Sequence, residues 1–144
     1  MKCLLDTNVL SEIRKPHGDI RVKNFVNSLR EEDVYISVLS IGEIGFGIEK
    51  LPGGPKKTEL LIWLTQKLPE RFGNRMIPLD TDIMAEWGRL QARTAKTLPV
   101  FDSLIAATAL ARNLRVVTRN TKDFEGIDPA NRRFDLLNPW VDAP

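Results

Sequence analysis

Four stretches of this chain set an acidic or amide side chain directly after, or beside, a run of apolar residues. They read LLDTN with Asp6, LSIGEIG with Glu43, LPVFDSLIAA with Asp102, and VVTRNTKDF with Asn120 and Asp123. Carboxylates gathered at one place repel each other, and a bound divalent cation with oxygen ligands is the usual way that repulsion is offset. The chemistry such a set points to is therefore metal binding. The alternatives are weak: His17 is the only histidine, in a Lys-Pro-His-Gly turn, and Cys3 is the only cysteine. Zinc ligation and a histidine-based triad are poorly supported, and no intramolecular disulfide is possible.

Taken singly, each of these residues also has a purely structural explanation. Asp6 could serve an Asx-turn or cap a helix. Glu43 could close a capping box with Ser40, Asp102 could cap a helix and complement its dipole, and Asn120 and Asp123 could shape a turn. What raises them above ordinary surface acids is the set of elements that would hold them. Lys2 to Leu5 reads as a buried strand ending at Asp6, followed by a helical turn over Val9, Leu10 and Ile13 and a break at Pro16-His17-Gly18. Ile20 to Leu29 has helical period, and Val34 to Val38 is β-branched and aromatic, as a strand is. Ser40 as N-cap opens a helix to about Leu51, and Pro52-Gly53-Gly54-Pro55 ends it.

Thr58 to Leu68 predicts a further helix, with Leu60, Leu61, Trp63, Leu64 and Leu68 on one stripe. Met76 to Leu79 is a third strand. Asp80 or Thr81 caps a helix to about Lys96, with Ile83, Met84, Trp87, Leu90 and Ala95 inward. Asp102 opens the Ala-rich helix Ser103 to Arg112. Arg115 to Thr118 is a fourth strand, and Phe134 to Leu137 a fifth at the edge. Strands alternating with helices give an α/β domain with a mostly parallel sheet. Ligands of such sheets bind beyond the carboxyl ends of the strands, where Asp6, Asn120 and Asp123 fall.

Bulk composition bounds the answer without choosing it. The 144 residues, 42% of them hydrophobic, suit one domain with a single core. Lys+Arg 21 against Asp+Glu 19 leaves a net charge of +2, which admits nucleic acid as a partner but does not demand it. Lys56-Lys57, Arg112 to Arg119 and Arg132-Arg133 are local basic clusters. The apolar start is too short for a signal peptide and no run approaches a membrane span, so a reducing cytoplasm is the expected setting.

The segments MKCLLDTNVLSE, SVLSIGEIGFGI, FDSLIAATALARN, VVTRNTKDFEGI and LLNPW, in that order, resemble a PIN-domain ribonuclease. The chain is most similar to VapC-type toxins of type II toxin–antitoxin pairs, the FitB-like branch in particular. The resemblance spans residues 1–144 and implies a PIN-like three-layer fold with a central sheet of about five strands. It matches Asp6, Glu43 and Asp102 to three acidic metal ligands. A fourth family position, an aspartate in a Thr-x-Asp pattern, falls here on Asn120, which brings no charge. Asp123 is the candidate to supply it, and Asn8 and Thr118 match positions that orient water or phosphate.

By that resemblance the activity is hydrolysis of RNA phosphodiester bonds with Mg²⁺, or Mn²⁺ as a substitute. Asp6 and Asp102 would hold the ion, Glu43 would bind through water or act on the attacking water, and Asp123 with Asn120 would complete the outer shell. Arg14, Lys15, Arg112 and Arg119 are candidates by position for phosphate contacts. The implied partners are RNA, a VapB-type antitoxin and a second copy of the chain, and the apolar stripe Leu60, Leu61, Trp63 and Leu64 with Ile44, Phe46 and Ile48 is where a partner would cover surface. Two rivals stand beside this: a non-catalytic RNA-binding protein with a degraded metal site, and a response-regulator-like domain phosphorylated on an aspartate. The second wants an acidic pair near the first strand, which Asp6-Thr7-Asn8 lacks.

Overall fold

The computed structural model describes residues 1–127 and 135–142. Five short strands form one sheet: β1 (Cys3–Leu5), β2 (Val34–Ser37), β3 (Met76–Ile77), β4 (Arg115–Val117) and β5 (Leu136–Leu137). Their order is β3-β2-β1-β4-β5, and every pairing is parallel. Arg132-Arg133 and Phe134 lie outside the described residues. The chain winds outward from β1 through β2 to β3, then returns to place β4 on the other side of β1. That reversal opens a crevice at the carboxyl edge between β1 and β4.

Parallel strands covered by helices on both sides must be apolar on both faces. Cys3 and Leu5 face one core, with α1 (Thr7–Arg14), α2 (Ile20–Ser28), α3 (Val38–Glu49), α4 (Pro55–Ile62) and α5 (Leu68–Phe72). Leu4 and Val116 face the other, with α6 (Thr81–Ala92), α7 (Val100–Arg112) and α8 (Thr121–Glu125). Alternation along β1 thus divides three consecutive residues between two cores. No described helix is long and apolar enough to cross a membrane.

Several boundaries differ from expectation for local reasons. Ser37, not Ser40, caps α3: its side chain accepts from the Leu39 N–H, so the helix starts directly on β2. Ser40 then falls inside the helix and is fully buried. Proline at the first helical position starts α4 at Pro55 rather than Thr58. A π-turn over Trp63–Lys67 separates α4 from α5, and at Gly45 a β-carbon would sit 3.4 Å from Leu64 of that turn, so α3 approaches it closely.

Pro99 precedes the first residue of α7, so Asp102 lies within its first turn rather than before it. Helix α6 stops at Ala92, four residues short, leaving Ala95 exposed, and Met84 also faces solvent. Leu60, Leu64 and Ile48 are core residues, with Leu61, Trp63 and Ile44 partly buried against them, whereas Phe46 is exposed.

Candidate active site

Asp6 passes from strand to helix in a single residue. Its backbone is extended, its carbonyl accepts from Val9 and Leu10, and its carboxylate Oδ1 accepts from the Thr7 N–H at 2.8 Å. The side chain is therefore both the N-cap of α1 and a group presented at the sheet edge. Just beyond the neighbouring strand Thr118 meets it: Thr118 Oγ1 donates to Asp6 Oδ2 at 2.9 Å. The same hydroxyl oxygen accepts from the Asn120 N–H at 3.1 Å and from Asn8 Nδ2 at 3.2 Å. One donor and two acceptor positions are all a hydroxyl has, so Thr118 is saturated. Asn8 also accepts from the Arg119 N–H at 3.1 Å, tying α1 to the loop after β4.

Glu43 arrives from α3. Thr7 Oγ1 lies 2.8 Å from Glu43 Oε1 and 2.9 Å from Ser40 Oγ. Glu43 is thus oriented by a residue of α1 and closes no capping box. Asp102 arrives from α7, whose first turn is pinned by Ser103: Trp87 Nε1 donates to Ser103 Oγ at 2.9 Å, and that hydroxyl donates to the Val100 carbonyl. Asp123 lies in the first turn of α8, exposed, with Asn120 at the position before the helix and making no side-chain cap bond.

The electrostatics bring the four acids together. Burial, with the charges of Asp6, Asp123 and Glu43 acting in the same direction, pushes the Asp102 carboxyl up to about 6. Burial also raises the Asp6 carboxyl; hydrogen bonds from Thr118 and Thr7 pull it back, Asp123 pushes it up, and the balance is upward. Among the described residues nothing donates a hydrogen bond to Asp102 and no cation pairs with it. Yet no three described acidic, histidine or cysteine side chains stand close enough to grip one ion unaided. The site is a zone of converging negative charge, not a ready-made cage.

Of the basic residues, Arg14 and Lys15 line a groove of about 300 Å³ that also touches Thr7 and Glu43, with the Arg14 guanidinium 5.7 Å from the Trp63 ring centre. Arg119 flanks the site and lies 5.1 Å from the Trp140 ring centre. Arg112 does not belong here. It is ten residues along α7 from Asp102, about 15 Å at helical rise, and its guanidinium pairs with Asp80. Thr7, Ser40, Ser103 and Trp87 were not anticipated. The available signal was polarity at positions beside apolar runs, as at Thr7 within DTN and Ser40 within SVLSIGE.

Comparison with known proteins agrees with this architecture. The PIN domain model matches residues 3–128. Toxin FitB of Neisseria gonorrhoeae is 37% identical over 142 residues, covering 96% of this chain and 99% of that protein. VapC ribonuclease Y4jK of Sinorhizobium fredii is 33% identical over 143 residues, covering 97% and 99%. Among solved structures, FitAcB from Neisseria gonorrhoeae matches with a TM-score of 0.84 and 34% identity, over 96% of this chain and 99% of that one. With a parallel sheet in this order, an acidic carboxyl edge and similarity along almost its whole length, the chain belongs to the PIN-domain family.

Proposed function

We propose that this chain is a divalent-metal-dependent endoribonuclease acting as the toxin of a toxin–antitoxin pair, held in check by a VapB-type antitoxin. The observation that carries the reading is the convergence of Asp6, Glu43, Asp102 and Asp123 on one edge, with no described cation to balance Asp102. Near full-length similarity to proteins named as a toxin and as a VapC ribonuclease supports it.

The donor set fits magnesium, with manganese as a substitute. All the candidate ligands are oxygens, and magnesium needs only one or two carboxylates directly because it keeps water elsewhere, so a site where no three described acids close on one point is compatible with it. Asp6 and Asp102 would hold it; when bound, such an ion neutralises charge on the scissile phosphate and lowers the pKa of the attacking water.

The protein's own groups do the rest. Thr118 and the Thr7 N–H fix both oxygens of Asp6, so its direction is set before substrate arrives. Glu43, oriented by Thr7, accepts the proton of the attacking water. Asp123 adds charge from the side where Asn120 has none. Arg119, Arg14 and Lys15 bind the flanking phosphates.

Purified protein, mixed-sequence RNA and Mg²⁺ test this directly. The wild-type chain should cut and should stop when the metal is chelated. Asp6→Asn, which keeps the helix cap, should melt as the wild type does and leave RNA intact. Wild-type cutting by that variant would overturn the assignment.

A further inference from the structure

Arg119 is a cation set among acids. It lies between Thr118, which bonds Asp6, and Asn120, which precedes α8 and Asp123. The residue is exposed, yet among the described residues no acid pairs with it. An unrestrained guanidinium beside several carboxylates would fold onto one of them. Three contacts hold this one. The Arg119 N–H donates to Asn8 Oδ1 at 3.1 Å, and its carbonyl accepts from Asn138 Nδ2 at 3.1 Å. Its guanidinium carbon stands over the Trp140 ring, 5.1 Å from the centre.

The last two contacts belong to one turn. Asn138 follows β5, and because β5 runs parallel to β4 the turn lies at the same carboxyl edge as Arg119. Asn138 Oδ1 accepts from the Trp140 N–H at 2.9 Å, so the amide that holds the Arg119 carbonyl also closes the turn that presents the ring. The Asn138 N–H in turn donates to Asp142 Oδ2 at 3.1 Å. Trp140 itself is 6% exposed and packs in the core that contains Val9 and Leu10 of α1. The ring is fixed by the core, and the arginine that lies on it stays in solvent.

We infer that Asn138 and Trp140 are positioning residues, which keep Arg119 off the acids and ready to grip an RNA phosphate beside the site. The inference rests on the ribonuclease reading above. A guanidinium stacked on an indole gives up one π-face, but its N–H groups lie in its own plane and remain free for bidentate contact with a phosphate. Stacking also removes rotamer freedom that a long side chain would otherwise lose on binding. An arginine paired with Asp6 or Asp102 would instead cancel the charge that a metal ion needs.

The test is a double-substitution cycle on the full chain in Mg²⁺. It is read as KM and kcat for cleavage of a fluorogenic RNA oligonucleotide, and as the Kd of the same RNA in chains that also carry Asp6→Asn. Arg119→Ala should raise KM and Kd on the order of tenfold. Trp140→Leu should raise both about two- to fivefold, more than it changes kcat, and should add nothing in the Arg119→Ala background. Trp140→Phe, which keeps an aromatic face, should recover most of the loss. Asn138→Ala, which leaves the ring in the chain, should repeat the pattern of Trp140→Leu, and it decides the matter if Trp140→Leu fails to fold.

Equal effects of Trp140→Leu and Asn138→Ala with and without Arg119 overturn the inference, because the turn is then only structural. So does wild-type RNA binding by Arg119→Ala, which would leave nothing to position. A wild-type chain that never cuts RNA but shows the coupling in Kd would sink the ribonuclease reading and keep the positioning role. Cutting by the wild type with purely additive effects would do the reverse.

Discussion

Helices α6 and α7 pack against each other and each carries a shielded acid, Glu86 on one and Asp102 on the other. Glu86 is only 6% exposed, and burial pushes its carboxyl up, but Arg89 at 2.7 Å and Arg93 at 3.4 Å outweigh that and hold it below the usual range. Asp102 is less buried, yet its carboxyl stands near 6, because its surroundings add negative charge instead of cancelling it. A folded protein avoids unpaired acids in shielded places unless something external completes them. Glu86 is completed by its own chain and is structural. Asp102 has no such partner among the described residues, which is why we propose that a bound cation completes it.

That contrast can be broken by exchanging the fates of the two acids. Asp102→Asn should reduce Mg²⁺-dependent RNA cleavage by more than the ~10–100-fold that loss of an outer-shell partner costs. Glu86→Gln should leave cleavage near wild type and lower the melting temperature instead. Its stability cost is about 1–2 kcal/mol, held down because Arg89 is 62% exposed and its pairing is screened. Loss of cleavage in Glu86→Gln with a normal melt would invert the comparison.

The next effect concerns how the site acids are held. Thr118→Val keeps the shape but removes the hydroxyl that serves Asp6, Asn8 and Asn120, so cleavage should fall about 10–100-fold. Thr118→Ser should retain most of the rate. Equal rates for Val and Ser would show that the bond to Asp6 does not matter.

The smallest effect is on stability without metal. A carboxyl raised from 3.8 to about 6 in the folded state favours folding when protonated; that contribution is complete below the unfolded value and is lost as pH rises through about 6. In chelator, Asp102→Asn should therefore melt higher than wild type above pH ~6, and the two should converge as pH falls below it. A variant that melts lower at both pH values would mean that the Asp102 charge carries no strain.

Much of the fold was legible because its signals are local. The apolar runs ending at Leu5 and Val117, the helical stripe of residues 20–29 and the stop at Pro52 to Pro55 needed no partner to be seen. Errors came where two local readings compete. SVLSIGE satisfies a capping-box pattern at Ser40, but Ser37 already caps the helix, and Ser40 and Glu43 are drawn instead to Thr7, 33 and 36 residues away. Arg112 was a candidate for phosphate contacts by its position in the sequence alone. Helical rise carries it to the far end of α7, onto Asp80.

By itself the sequence determined which segments are strands and helices and that acidic side chains stand where strands end, because hydrophobic period and capping depend on near neighbours. It also carried the family resemblance, through the order of its short motifs. Only the tertiary structure decided that β4 lies against β1, so that Thr118 could saturate itself on Asp6, and that arginines reach Glu86 while no described cation reaches Asp102. Strand order and the pairing of charges across elements are non-local, and no periodicity along the chain encodes them.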